Sequence, residues 1–240
     1  MKLLQLVFSF NLLFVFLCSC QSDNSLEVFA DYDVNNIEPE VIDTTISFLA
    51  LGDSYTIGQG VVEAMRWPNQ LAVEMRDSNI AIEDPLIIAQ TGWTTFQLKT
   101  AIELEEPGKH DLVSLLIGVN NQFQKRPFEE FQSQFLELLD ISKELASETN
   151  DVFVVSIPDY GVTPFGSNNA AEIASELDMY NAYIKEICTD QGILFIEVTD
   201  ISRELGDSPG ALAQDQLHPS GEQYAAWVER MLTDVIELVR

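Results

Sequence analysis

The feature that most limits how this chain folds is a repeated switch between short, unbroken apolar runs and longer segments of helical period. The runs are Ile46 to Leu51, ending at Gly52; a stretch within Ala81 to Ala89, ending before Thr91-Gly92; Asp111 to Ile117, closed by Gly118; Val152 to Ile157, closed by Pro158; and Ile193 to Ile196. They are rich in β-branched residues and lack polar alternation, as strands do when both faces of a parallel sheet are covered. Between them, Asn69 to Arg76, Thr94 to Leu104, Phe128 to Ser147, Ala170 to Asp190 and Glu222 to Val239 read as helices. In the third of these, Phe131, Phe135, Leu138, Leu139 and Leu145 make one apolar face. The alternation predicts one α/β domain over residues 45–240, a doubly wound, parallel, five-stranded sheet flanked by helices. In such a sheet a ligand sits beyond the carboxyl ends of the strands.

A chain of 240 residues suits one sizeable domain. Its 12 Lys and Arg stand against 39 Asp and Glu, a formal net charge of −27. That balance excludes a nucleic-acid partner, which needs clustered cations to release counterions from phosphates. It also opposes adsorption to anionic lipid, so attachment to a membrane calls for a covalent or inserted anchor.

The N-terminus offers one. Lys2 precedes an apolar run, Leu3 to Leu17, broken by Gln5, Ser9 and Asn11. The run is shorter than the ~20 residues of a spanning helix and reads as an export signal. Leu17-Cys18-Ser19-Cys20 resembles the bacterial lipobox. The resemblance implies that residues 1–19 are removed, that Cys20 carries the lipid, and that the protein is exported and held at a bacterial membrane, at the outer membrane or cell surface. A plain secretory peptide cleaved nearby and a retained transmembrane helix are the alternatives. Residues 20–44 are acidic, rich in Asp and Asn and without period, and are expected to be a flexible spacer. With Cys18 and Cys20 so assigned, Cys188 is the remaining thiol; it lies at helical spacing from Ile184, where a small buried side chain belongs.

Two segments carry chemistry. Gly52-Asp53-Ser54-Tyr55-Thr56 directly follows the first strand, where a serine hydroxyl faces the cleft. A serine needs an adjacent general base to act as a nucleophile. Histidine, with an ordinary pKa near 6.5, suits that role, and a carboxylate on its other ring nitrogen selects the tautomer. The chain has two histidines. His110 enters the third strand and therefore belongs at the far end of the sheet. His218, in Asp215-Gln216-Leu217-His218-Pro219, has a carboxylate three residues earlier.

These blocks are similar to those of the SGNH (GDSL-type) hydrolases. Gly52-Asp53-Ser54-Tyr55 resembles the family's first block, Gln90-Thr91-Gly92-Trp93-Thr94 the second, Gly118-Val119-Asn120-Asn121 the third and Asp215 to Pro219 the last, in the family's order. The resemblance implies the flavodoxin-like sheet of that family and a serine esterase forming an acyl-enzyme. Ser54, Asp215 and His218 would be its catalytic residues, and the N–H groups of Ser54 and Gly92 with the Asn120 amide its oxyanion hole. The family's substrates make a lysophospholipase- or thioesterase-like acyl hydrolase and a carbohydrate O-acetylesterase the expected activities. One position departs: Asn121 stands where the family usually has aspartate, which is expected to alter loop order or substrate fit.

Tyr55, Trp93, Asn121, Phe123 and Tyr160 are the expected pocket residues, Tyr160 within an aromatic loop from Pro158 to Gly166. No metal-ligand cluster and no phosphate-binding glycine motif occurs, so no cofactor is implied. The expected partners are a small-molecule, lipid or glycan ester and, through the lipid on Cys20, a membrane. The alternative reading is a non-catalytic surface lipoprotein that binds glycan or lipid, with Asn121 as its support.

Overall fold

The computed structural model describes residues 45–148 and 151–240. The expected export signal, Cys20 and the expected spacer lie outside them. In chain order the elements are β1 (Phe48–Gly52), α1 (Ser54–Ile57), α2 (Trp67–Asp77), β2 (Leu86–Ala89), α3 (Thr95–Glu105), β3 (Leu112–Leu116), α4 (Val119–Phe123), α5 (Phe128–Leu145), β4 (Val152–Val155), α6 (Ala170–Gln191), β5 (Leu194–Ile196), α7 (Thr199–Leu205) and α8 (Gly221–Leu238), with three short 3-10 turns between. The five strands form one parallel sheet in the order β2-β1-β3-β4-β5. This is the doubly wound, flavodoxin-like arrangement read from the sequence.

Every residue of β1, β3 and β4 is buried, so helices cover both faces. On one face α2 packs on α8. There Trp67 lies edge-on to Phe153 of β4, centroids 6.2 Å apart, and 6.4 Å from Phe48 of β1. On the other, α3 packs on α5, and α5 meets α6 through Phe131 and Tyr180, whose centroids are 4.4 Å apart. Phe131, Phe135, Leu138 and Leu139, the periodic face of α5, are fully buried. Cys188 is buried in the core, and burial pushes its thiol up to about 12.

Local chemistry sets the helix starts. Pro68 in the first turn of α2 has no N–H to leave unsatisfied, so the helix begins two residues before the expected Asn69. Thr94 and Gln97 form a capping box on α3, and the Ser220 hydroxyl accepts the Gln223 N–H at the start of α8. Sheet pairing of β2 begins only at Leu86, after Pro85, although Ile82 already bridges Ile46. Among the described residues no helix is long and apolar enough to cross a membrane, and no group of His, Cys, Asp or Glu side chains is arranged to hold a metal ion.

Candidate active site

Three loops leave the carboxyl ends of neighbouring strands and converge. At the end of β1, Gly52 is forced by space: a Cβ there would lie 2.1 Å from Thr56 Oγ1 and 2.6 Å from the Leu116 carbonyl oxygen. The chain turns at once into α1, with Asp53 as N-cap and Ser54 as first helical residue. The N–H of a first helical residue has no acceptor within its helix, so that of Ser54 is available at the cleft. Asp53 is wholly buried; its Oδ1 accepts the Tyr55 N–H at 3.0 Å and its Oδ2 has no hydrogen-bond partner. Burial, opposed by that one hydrogen bond, pushes its carboxyl up to about 7.

The second loop follows β2. Gly92 has φ +88° with nothing near the position of a Cβ, so it is the backbone conformation that calls for glycine. Three side chains pin the loop. Asn120 Nδ2 donates to the Trp93 carbonyl at 3.0 Å, Gln124 Nε2 to the Gly92 carbonyl at 3.1 Å, and Thr91 Oγ1 to Gln59 Oε1 at 2.7 Å. The carbonyls of residues 92 and 93 are thus held from outside the loop.

The third loop opens α4, at the end of β3. Asn120 uses one amide hydrogen on Trp93 and has a second to offer the cleft. Asn121 is fully buried and faces elsewhere. Its Oδ1 accepts the Thr95 N–H at 3.0 Å and its Nδ2 donates to Thr95 Oγ1 at 2.8 Å. It therefore ties this loop to the first turn of α3.

Asp215 and His218 come from the segment before α8. Ala213 N–H donates to the His218 carbonyl at 2.8 Å, Leu212 bridges Pro219, and Gln216 takes φ +58°. This bend brings Asp215 Oδ2 to 2.7 Å from His218 Nδ1, while Asp215 Oδ1 accepts the N–H groups of Leu217 and His218, each at 3.0 Å. Burial pulls the Asp215 carboxyl upwards, but the bonds from the His218 ring and from these two N–H groups outweigh it and hold the acid below its ordinary value. An ionised Asp215 places the ring hydrogen on Nδ1 and leaves Nε2 as an acceptor. Tyr55 lies edge-on to the imidazole, with centroids 5.8 Å apart.

These groups surround one cavity of about 230 Å³, bordered by Ser54, Tyr55, Gly92, Asn120, Phe123, Tyr160 and His218 among the expected residues. Trp93 and Asn121, read from the sequence as pocket residues, do not border it. Trp93 packs partly against the core and Asn121 caps α3. Four further residues border the cavity: Thr91, Val119 and Leu217, and Phe165 from the aromatic loop Pro158 to Gly166. Thr91, Val119 and Leu217 each adjoin a residue that the blocks mark, but their chemistry is ordinary and only the loop paths turn them inward. His110 enters β3 at the opposite end of the sheet, where its N–H donates to the Leu145 carbonyl.

Tyr160 belongs to a loop that is braced on three sides. The Ile157 N–H and carbonyl, just past the last paired residue of β4, bond to the Asn181 carboxamide at 2.8 and 2.9 Å. Asp159 meets Arg203 Nε at 2.9 Å and accepts the Gly161 N–H at 2.7 Å. The Tyr160 hydroxyl donates to Gln122 Oε1 at 2.8 Å.

No curated protein matches the sequence. Solved structures with the same fold include an acetylxylan esterase from Geobacillus stearothermophilus, 19% identical, with TM-score 0.61 over 79% of this chain and 94% of that one. They also include TesA, 17% identical, with TM-score 0.58 over 80% and 99%. A third is a psychrotrophic esterase, EstA, from Pseudoalteromonas sp., in a structure inhibited by monoethylphosphonate. It is 16% identical, with TM-score 0.56 over 80% and 97%. The GDSL-like Lipase/Acylhydrolase family matches residues 50–226, from within β1 into α8. With that match spanning most of the chain, and the same fold in these structures, the protein belongs to the GDSL (SGNH) hydrolase family.

Proposed function

We propose that this protein is a serine esterase that cleaves carboxylic esters through an acyl-enzyme on Ser54. The observation that carries the reading is the single cavity shared by Ser54, His218, Gly92 and Asn120, with Asp215 bonded to the far side of the imidazole. In the first step Ser54 Oγ attacks the ester carbonyl carbon and His218 Nε2 takes the hydroxyl proton. The negative charge that develops on the carbonyl oxygen meets the N–H groups of Ser54 and Gly92 and the Asn120 amide, already oriented by the loop bonds described above. As the tetrahedral species collapses, His218 gives the proton to the departing alcohol. Water, deprotonated by His218, then attacks the acyl-enzyme, and the proton returns to Ser54. Asp215 keeps the imidazole in the required tautomer and stabilises its cationic form.

The cavity lining favours an apolar acyl group over a sugar. Polar groups gather at Ser54, Gly92, Asn120 and His218, while Val119, Phe123, Phe165 and Leu217 supply the rest of the wall with Tyr55 and Tyr160. A sugar hydroxyl buried without a partner costs about 1–3 kcal/mol, whereas each buried methylene contributes roughly 0.8 kcal/mol. Asn121, the support for a non-catalytic reading, is spent on Thr95 and does not border this cavity.

A fluorophosphonate probe is expected to label the purified protein at Ser54, and Ser54→Ala to lower p-nitrophenyl acetate hydrolysis to under about a thousandth. Undiminished turnover by that variant refutes the assignment. We also propose that the chain is exported and tethered by a lipid on Cys20. Its support is Lys2, the apolar run to Leu17 and the Leu17-Cys18-Ser19-Cys20 sequence.

A further inference from the structure

Three aromatic side chains divide two hollows. Phe123, Tyr160 and Phe165 border the cavity that holds Ser54, and the same three border a second cavity, of about 220 Å³, on their other side. Their centroids lie 6.2 Å apart for Phe123 and Tyr160, 5.9 Å for Phe123 and Phe165, and 6.4 Å for Tyr160 and Phe165. The far cavity is more polar, with Lys125, Asn168, Asn169 and Glu172 at its edge.

The three rings are held unequally. Tyr160 is 7% exposed and its hydroxyl is tied to Gln122, itself buried and donating to Glu176 at 2.6 Å. Phe123 and Phe165 are 51% and 54% exposed, and a phenyl ring has no polar atom by which a neighbour fixes it. Exposed side chains change rotamer within picoseconds to nanoseconds. Tyr160 is thus the fixed post of the partition, and the two phenylalanines complete it by packing on Tyr160 and on each other.

We propose that Phe123 and Phe165 set the acyl-chain length this enzyme accepts. The substrate class is an ester of a linear aliphatic acid longer than acetate. Its chain runs from the Ser54 carbonyl along Val119, Leu217 and Tyr160 and ends against the two phenyl rings. Removing a ring joins the near cavity to the far one and lengthens the path. This inference rests on the acyl-enzyme reading of Ser54, and its test separates the two.

The experiment measures kcat/KM for p-nitrophenyl esters from acetate to palmitate with the wild type, Phe123→Ala, Phe165→Ala and Phe165→Trp, beside fluorophosphonate labelling of each. In the wild type kcat/KM is expected to rise from acetate by up to about fourfold per methylene, and to fall once the chain outgrows the near cavity. In the alanine variants the fall is expected at longer chains, with the laurate-to-acetate ratio raised roughly tenfold or more, the worth of about two added methylenes. Phe165→Trp moves it to shorter chains. The same profile in all four proteins, or a wild type that prefers acetate to butyrate and hexanoate, overturns the proposal while labelling of Ser54 leaves the esterase standing. Absence of both labelling and ester cleavage overturns the esterase reading and the proposal with it.

Discussion

Asp53 holds the most costly position in the first block. Its carboxyl is fully buried one residue before Ser54, and burial pushes its pKa up to about 7. An acid whose folded pKa is raised contributes stability in its neutral form. That contribution is complete below the ordinary carboxylate value of 3.8 and is lost as pH rises through about 7. Asp215, with a lowered pKa, acts in the opposite sense, and only at more acid pH. Denaturant melts between pH 5 and pH 8 are therefore expected to show stability falling with pH, with a slope of at most about 1.4 kcal/mol per pH unit for one proton. Asp53→Asn keeps an acceptor for the Tyr55 N–H and has no charge to desolvate, so the decline should flatten in that variant. An equally steep decline would place its source elsewhere. Residues of this kind were partly legible in the sequence. Ser54, His218 and Asp215 stood out because nucleophilic catalysis needs particular residue types, and two histidines leave little choice. Val119 and Leu217 did not stand out, since an apolar wall needs only bulk in the right place, and the place is decided by the loop path.

At the scale of elements, the strands were readable because residues buried on both faces leave an unbroken apolar run, as in Phe48 to Leu51 and Val152 to Val155. The seven residues of α7 and the four of α1 were not. Such helices make too few turns to show a period, and α1 exists because its N-cap Asp53 and the left-handed Gly58 confine it. The link between α3 and α4 was equally hidden. Asn121 draws the family comparison as a lost aspartate, yet its amide satisfies both the N–H and the hydroxyl of Thr95, which in turn donates to Gln134 Oε1 at 2.5 Å. Asn121→Ala leaves a buried N–H unpaired and is expected to cost roughly 1–3 kcal/mol in urea unfolding. Asn121→Asp should cost less, because a carboxylate still accepts the Thr95 N–H and can take the Thr95 hydroxyl hydrogen once the Gln134 carboxamide turns over to donate instead of accept. Equal losses in the two variants would contradict that account.

Taken whole, the molecule carries a net charge of −27. A protein so acidic is repelled by an anionic leaflet, whose surface potential attracts basic segments. The proposed membrane residence would then depend on the lipid on Cys20 rather than on the folded surface, and one acyl chain alone gives marginal, reversible binding. Cys20→Ser is expected to abolish incorporation of a palmitate analogue and to move the protein from the membrane to the soluble fraction of the producing cell. Continued incorporation would place the lipid on another residue.

The strand order has a consequence for accuracy. Gly92, Ser54 and Asn120 follow β2, β1 and β3, three adjacent strands of one parallel sheet. The spacing of hydrogen-bonded strands, about 4.8 Å, is therefore the ruler that separates the three proposed oxyanion donors, and the rise of about 3.3 Å per residue sets its smallest graduation. A chain that paired β2 one residue out of step would retain most of its core yet shift the Gly92 N–H by more than a hydrogen bond tolerates. In this architecture the pairing register, fixed right up to Gly52 against Ala89 and Leu116, calibrates the instrument that the cleft would use.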